Sequence, residues 1–121
     1  MSWTYSQATG AISRGGMTLG TGYSGHGEGR NNPAMEAVHD VGPIPHGRYS
    51  ILSPRDTDTH GPYVLPLVPE EGTDTHGRAG FLIHGDSVKA PGTASHGCII
   101  LARAYRISVW TSGDHSVEVV S

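Results

Sequence analysis

The stretch T-A-S-H-G-C-I-I-L, residues 93 to 101, carries the one cysteine of the chain beside a histidine. A free thiol is mostly protonated at neutral pH, and an imidazole within reach converts it to the reactive thiolate. Two histidines are candidates for that task. His96 lies two positions before Cys98 and shares a face with it if the segment is extended. His84 closes the apolar run Phe81-Leu82-Ile83 and precedes Gly85-Asp86, placing a polar side chain at the mouth of a core strand, where scaffolds commonly present reactive groups. The competing reading of Cys98 is a small buried hydrophobe, and that of each histidine a structural hydrogen bond or a pocket wall. Cys98 follows a Ser-His-Gly turn and precedes Ile99, so it stands at a loop-to-strand junction, where backbone amides can aim at a reacting oxygen.

Adjacency of histidine and glycine carries little information alone, because His26, His46, His60, His76, His84 and His96 all precede a glycine. At 26, 46, 60 and 76 the glycine reads as closing a turn. A different chemistry would use imidazoles for metal. His60, His76, His84 and Asp86 are of types that zinc accepts, but the sequence has neither H-E-x-x-H nor a paired-cysteine framework. A zinc-dependent peptidase is therefore an alternative, and a non-catalytic binding or structural module is another. In the latter, Cys98 is core and the histidines cap turns.

The elements that must position these residues are short. Trp3 to Ile12 reads as a hairpin around Ala8-Thr9-Gly10, Gly15-Gly16 as a second turn, and Met17, Leu19, Thr21 and Tyr23 alternate with the period of a strand. Residues 24 to 32, S-G-H-G-E-G-R-N-N, form a polar loop suited to a site rim. Asn32-Pro33 opens a short helix reaching His39, with asparagine as its cap. Turn chemistry at 42 to 47 leads into the strand Arg48 to Leu52. Thr-Asp-Thr-His-Gly occurs at 57 to 61 and again at 73 to 77, read as similar loops feeding the apolar runs Tyr63-Val64-Leu65 and Phe81-Leu82-Ile83. Leu101, Ala104, Tyr105 and Ser108 recur at helical spacing, and Val117 and Val119 alternate in a final strand. The pattern predicts a mainly β fold of roughly seven short strands and two short helices.

Composition agrees with a single domain spanning residues 1 to 121, rich in tight turns, with 18 glycines, 8 prolines and 36% apolar residues. The net charge of −3 and the absence of any basic run argue against nucleic acid and anionic membranes as partners. No stretch approaches the ~18 apolar residues of a membrane span, and M-S-W-T-Y-S-Q lacks the marks of a secretory signal, so synthesis as a soluble cytoplasmic product without membrane insertion is expected. One cysteine cannot close an internal disulfide.

I-H-G-D at 83 to 86 followed by S-H-G-C-I at 95 to 99 resembles the active-site signature of the L,D-transpeptidase (YkuD-type) catalytic domain. G-P-I-P-H-G-R-Y-S-I, residues 42 to 51, is similar to the turn and strand upstream of that signature. The N-terminal W-T-Y-S-Q, the loop at 23 to 33 and the ending S-H-G-C-I-I-L resemble the small branch of this superfamily that includes L,D-transpeptidase effectors of type VI secretion. Most members of the wider superfamily carry a polar residue two places after the cysteine; here it is Ile100, which suits the effector-like branch.

The resemblance implies an L,D-transpeptidase-like β-sandwich and a cysteine enzyme acting on peptidoglycan stem peptides, with no cofactor and no metal. It implies Cys98 as nucleophile, His84 as base, the Gly85 carbonyl as the group that orients the imidazole, and the Gly97 and Cys98 amides as oxyanion donors. Ser95 supports the turn, His96 is the alternative base or a pocket wall, Asp86 orients a histidine or binds the stem's amine, and Tyr23, Asn31 and Asn32 are rim candidates for the peptide. The products implied are those of L,D-carboxypeptidase action or D-amino-acid exchange at the bond between the third and fourth stem residues. The implied setting is an antibacterial effector delivered to the periplasm of a target bacterium, with a secretion-apparatus component and a cognate immunity protein as partners. Delivery by an injection apparatus would reconcile wall chemistry with the lack of an export signal.

Overall fold

A computed structural model describes residues 2–121. The described residues form ten strands: β1 (Trp3–Ser6), β2 (Ala11–Arg14), β3 (Met17–Thr21), β4 (Tyr23–Ser24), β5 (Gly47–Ile51), β6 (Arg55–Thr57), β7 (Gly61–Pro69), β8 (Leu82–His84), β9 (Ile99–Ile100) and β10 (Ser116–Val120). One α-helix, α1 (Arg103–Thr111), precedes the last strand. The fold is mainly β, with mixed strand directions. The period-two alternation read from the sequence is what buries one face. Trp3 and Tyr5 of β1 point inward, as do Val117 and Val119 of β10, and the two strands run parallel with Trp3 opposite Val117 and Tyr5 opposite Val119.

The strand order is β3-β2-β1-β10-β5-β7-β8-β9-β4, with β6 paired to β7 beside this path. The long strand β7 joins the two halves. Its residues Leu67 to Pro69 pair with β5, while Leu65 and Pro66 pair with β8. Both halves contribute to one apolar core: Tyr5, Ile12, Tyr49 and Val117 come from one side, and Leu65, Ile83, Ile99 and Leu101 from the other. Each such fully buried side chain contributes about 2 to 3 kcal/mol, enough to fix the positions of β8 and β9 firmly. These two strands carry the candidate chemistry at their ends, and they are parallel, with Ile83 opposite Ile99 and His84 opposite Ile100.

Two helix expectations need correction. The segment from Pro33 is a single 3₁₀ turn, Pro33–Met35, rather than a helix reaching His39. Asn32 does cap it, its side chain accepting from the Ala34 amide at 3.2 Å, but Asp40 takes a left-handed φ of 63° and the chain turns away. The second helix starts at Arg103 and buries Arg106 and Val109, with Tyr105 and Trp110 packed on the core; Ala104 and Ser108 are exposed. The face is rotated because Arg106 turns inward. Its Nε donates to the Leu101 carbonyl at 3.1 Å and its Nη1 to the carbonyls of Pro62 and Tyr63 at 2.9 and 2.8 Å. A helical-spacing rule that counts only apolar residues misses a buried arginine.

Candidate active site

Cys98 is the residue immediately before β9, and the turn that presents it is held by two buried serines. Ser95 Oγ accepts from the Gly25 amide at 2.9 Å and the Gly97 amide at 3.1 Å, and donates to the Cys98 carbonyl at 2.6 Å. Ser24 Oγ donates to the Gly97 carbonyl at 3.2 Å and accepts from the Ile44 amide at 2.8 Å. The turn is thus tied to β4 and to the strand-entry segment before β5. Gly97 admits no other residue: its φ is 127°, and a Cβ there would stand 2.3 Å from Nη2 of Arg78.

His84 ends β8 and is buried. Its Nδ1 donates to the Gly85 carbonyl at 2.8 Å, since a carbonyl oxygen can only accept, and the neutral ring therefore keeps its lone pair on Nε2. Burial, the nearby His60 and the charge of Arg106 hold the imidazole below its ordinary pKa. His84 is accordingly neutral at pH 7. Burial pushes the Cys98 thiol above its ordinary value, while a hydrogen bond from the Leu82 amide and the charge of Arg78 pull it down. The thiol itself donates weakly to the Gly80 carbonyl at 3.8 Å.

His84 and Cys98 open on the same pocket of about 270 Å³, whose other walls include His39, His60, Arg78 and His96. A wider cavity of about 650 Å³ adjoins it, sharing His60, His84, Ala94 and His96 and continuing along Gly85, Asp86, Val88 and Arg106. Two arginines flank the centre from below. Arg78 lies against Gly97, and Nη2 of Arg106 would stand 3.0 Å from a Cβ at Gly85. His96 is exposed; its Nδ1 donates to the Asp40 carbonyl at 3.2 Å and its ring stacks on His26, 5.2 Å between centroids. That makes it a wall of the pocket.

The remaining residues singled out in the sequence hold loops. Asp86 contacts no histidine; it accepts from the Tyr23 hydroxyl at 2.5 Å, the Ser87 amide at 2.8 Å and the Gly92 amide at 3.0 Å. Although partial desolvation opposes it, these donors keep the exposed Asp86 below the usual carboxylate range. Tyr23 is buried, not on the rim. Its hydroxyl also accepts from the Ala94 amide at 3.0 Å, and burial together with Asp86 pushes it up to about 12. Asn31 and Asn32 likewise line neither cavity. Asn31 accepts from the Ser24 amide and Asn32 bonds the Ala34 amide and the Glu28 carbonyl, which is the local turn-making that asparagine favours. Ile100 is buried in β9 between β8 and β4, opposite His84 on one side and Tyr23 on the other.

Sequence reading gave four residues no part in the thiol site that they shape. His60, weighed there only as a zinc ligand or a turn residue, sets its ring 4.7 Å from that of His84. Arg78 and Ser24 brace the cysteine turn as described. Glu36 collects the side chains of Gln7, His46 and His76 at 2.9 Å each. Although burial opposes it, these donors hold Glu36 at about 2. The zinc reading gains no support from the arrangement: His76 is engaged by Glu36, and no group of three or more ligating side chains is arranged for a metal among the described residues.

No helix is long and apolar enough to cross a membrane among the described residues. No curated protein matches the chain. The family model of the Tlde1 domain matches residues 19–120, a span that contains β4 to β10 and both cavities. The strands β1 and β2 precede the match, yet β1 pairs along its whole length with β10 inside it. The chain therefore belongs to the Tlde1 domain family, an L,D-transpeptidase-like family of type VI secretion effectors.

Proposed function

We propose that the protein is a cysteine enzyme that removes D-alanine from position four of peptidoglycan stem tetrapeptides, or exchanges it for another D-amino acid. The observation that supports this most is the shared pocket of Cys98 and His84, in which Gly85 fixes the imidazole by Nδ1 and leaves Nε2 as the basic atom. A buried neutral imidazole beside a protonated thiol fits general-base activation at the moment of attack, with no need for a resting ion pair. His84 Nε2 takes the Sγ proton as sulfur bonds to the carbonyl carbon of the third residue. The tetrahedral oxyanion is met by the Cys98 amide, since the Gly97 amide is already committed to Ser95. Collapse breaks the carbon–nitrogen bond, and the proton held on His84 passes to the departing D-alanine amine. Water, deprotonated by the same imidazole, then opens the thioester to give the tripeptide carboxylate; a free D-amino acid in its place gives exchange.

In this reading the protein is an antibacterial effector that works in the periplasm of a target bacterium, with a secretion-apparatus component and an immunity protein as partners. Purified protein incubated with tetrapeptide muropeptides tests the chemistry by mass spectrometry, with and without added D-methionine. The expected outcome is loss of one alanine, and a methionine-for-alanine shift when D-methionine is present. Cys98→Ala should lower the rate at least about 10³-fold while the activity of the parent survives exhaustive chelation. Unchanged tetrapeptide would sink the proposal.

A further inference from the structure

Arg78 is buried at 6% exposure and paired with no carboxylate among the described residues. Its Nη1 donates to the carbonyls of Glu36 and Pro43 at 2.6 and 2.8 Å, and its Nη2 to those of Gly42 and His96 at 2.9 and 3.3 Å. All four Nη hydrogens are therefore spent on backbone. The guanidinium has no fork to offer a substrate carboxylate. What it retains is its charge, which carbonyl dipoles solvate but do not neutralise. Taking an unpaired cation out of water is costly, and a fold that keeps one beside a pocket has a place for an anion.

Two groups on the same pocket can supply that anion, the Asp40 carboxylate and the Cys98 sulfur, and the contact with Gly97 points to the sulfur. Arg78 Nη2 lies where a Cβ of residue 97 would be, one residue from Cys98, and both side chains line the same pocket. The other titratable groups on that pocket are His39, Asp40, His60, His84 and His96, so Arg78 is its one permanently charged cation. Resting on the reading of Cys98 as nucleophile, we propose that Arg78 is a positioning residue whose charge, in direct contact with no carboxylate, acts through Cys98, favouring the thiolate and hence the developing negative charge at the start of attack. Its hydrogen bonds to the segment 36–43 hold the pocket wall in place, and the same bonds aim the charge.

Alkylation of Cys98 by iodoacetamide tests this without any wall substrate. The thiolate sulfur bonds to the methylene carbon as iodide leaves, and the thiol proton goes to buffer, so the rate follows thiolate across a pH series. The chain has one cysteine, so the modified site is unambiguous. Arg78→Gln should move the midpoint of the alkylation profile upward by about 1 pH unit. Arg78→Lys should stay near the parent midpoint although it severs the bonds to the segment 36–43 and melts earlier. Glu36→Gln, which loosens the same segment without touching the cation, should produce no upward shift. A parent-like midpoint in folded Arg78→Gln overturns the proposal, as do equal upward shifts in the lysine and glutamine variants, which would mark a structural role only. Should the glutamine variant not fold, the lysine variant decides: an unchanged midpoint supports the charge, and an upward shift of a full unit overturns it. Because alkylation is indifferent to muropeptide turnover, a protein inactive on the wall can still support or overturn the role of Arg78.

Discussion

In the turn at 57 to 61 the His60 amide donates to the Thr57 hydroxyl at 2.8 Å, and the left-handed φ falls on Gly61, at 82°. In the turn at 73 to 77, built from the same five residues, the His76 amide donates instead to the Asp74 carboxylate at 2.9 Å, and His76 takes a left-handed φ of 55° in addition to Gly77 at 75°. The first copy is the tight connection of a hairpin, β6 to β7, and so must place its glycine at the first residue of the returning strand. The second is a longer loop whose Thr73 side chain is tied to both backbone groups of Arg48, at 3.0 Å each. Identical local sequence thus yields two turns that share a left-handed glycine, and the strands on either side decide whether the histidine before it turns left-handed as well. The outcome for function is a division of labour. His60 turns its ring to His84, while His76 spends its ring on Glu36 and Arg78, the first residue after the turn, packs against Gly97 of the cysteine turn.

If that division is real, the two copies fail differently. Glu36→Ala, which unpins the second copy, should cost about 1 to 2 kcal/mol of stability, since a half-buried network of hydrogen bonds to a charged group is lost. Its denaturation midpoint drops first and turnover only as a consequence. His60→Ala should leave the denaturation midpoint within about 0.5 kcal/mol of the parent and instead lower kcat/KM about tenfold, as the wall that holds His84 and the peptide is removed. Equal losses of stability in the two variants would erase the distinction. The smallest effect is on pH. His60 helps hold His84 down, so its removal raises the imidazole pKa and moves the acid limb of kcat/KM to higher pH; His76→Gln should leave that limb where it is. Stability responds to the other copy. Glu36 is depressed to about 2, so its contribution is complete above the ordinary carboxylate range and fades as pH falls towards that value, a slope that Glu36→Gln should flatten.

Much of the frame can be read from the chain, because it rests on local patterns: the hairpins at 8 to 10 and 15 to 16, the alternation of β10, the apolar run that becomes β8. The convergence of His84 and Cys98 on one pocket is legible for the same reason, each being the polar end of a short apolar strand. What stays hidden is set by distant partners. His60 and Arg78 reach the pocket from loops, and nothing in Thr-Asp-Thr-His-Gly distinguishes the histidine that meets His84 from the one that meets Glu36. Arg78 does leave a trace, an arginine between glycines 77 and 80 just before the most apolar strand, where a solvated charge would be out of place. Tyr23, Asn31 and Asn32 mislead in the opposite sense. Polar residues in a glycine-rich loop look available to a ligand, and here the loop consumes them.

The place of β10 between β1 and β5 bears on how quickly such a chain can reach this state. The strand latest in sequence is central in the sheet, and the Trp3 indole reaches Ser112, 109 positions along the chain. Hairpins such as β1–β2 and β2–β3 can form on their own, but they join the rest only when a segment from the opposite end of the chain arrives between them and β5. Contact order is high in such a topology, and closure of that long loop, rather than formation of any turn, sets the folding rate. A chain translocated unfolded would therefore spend the interval before β10 docks with β1 and β5 unjoined, its core open to proteases.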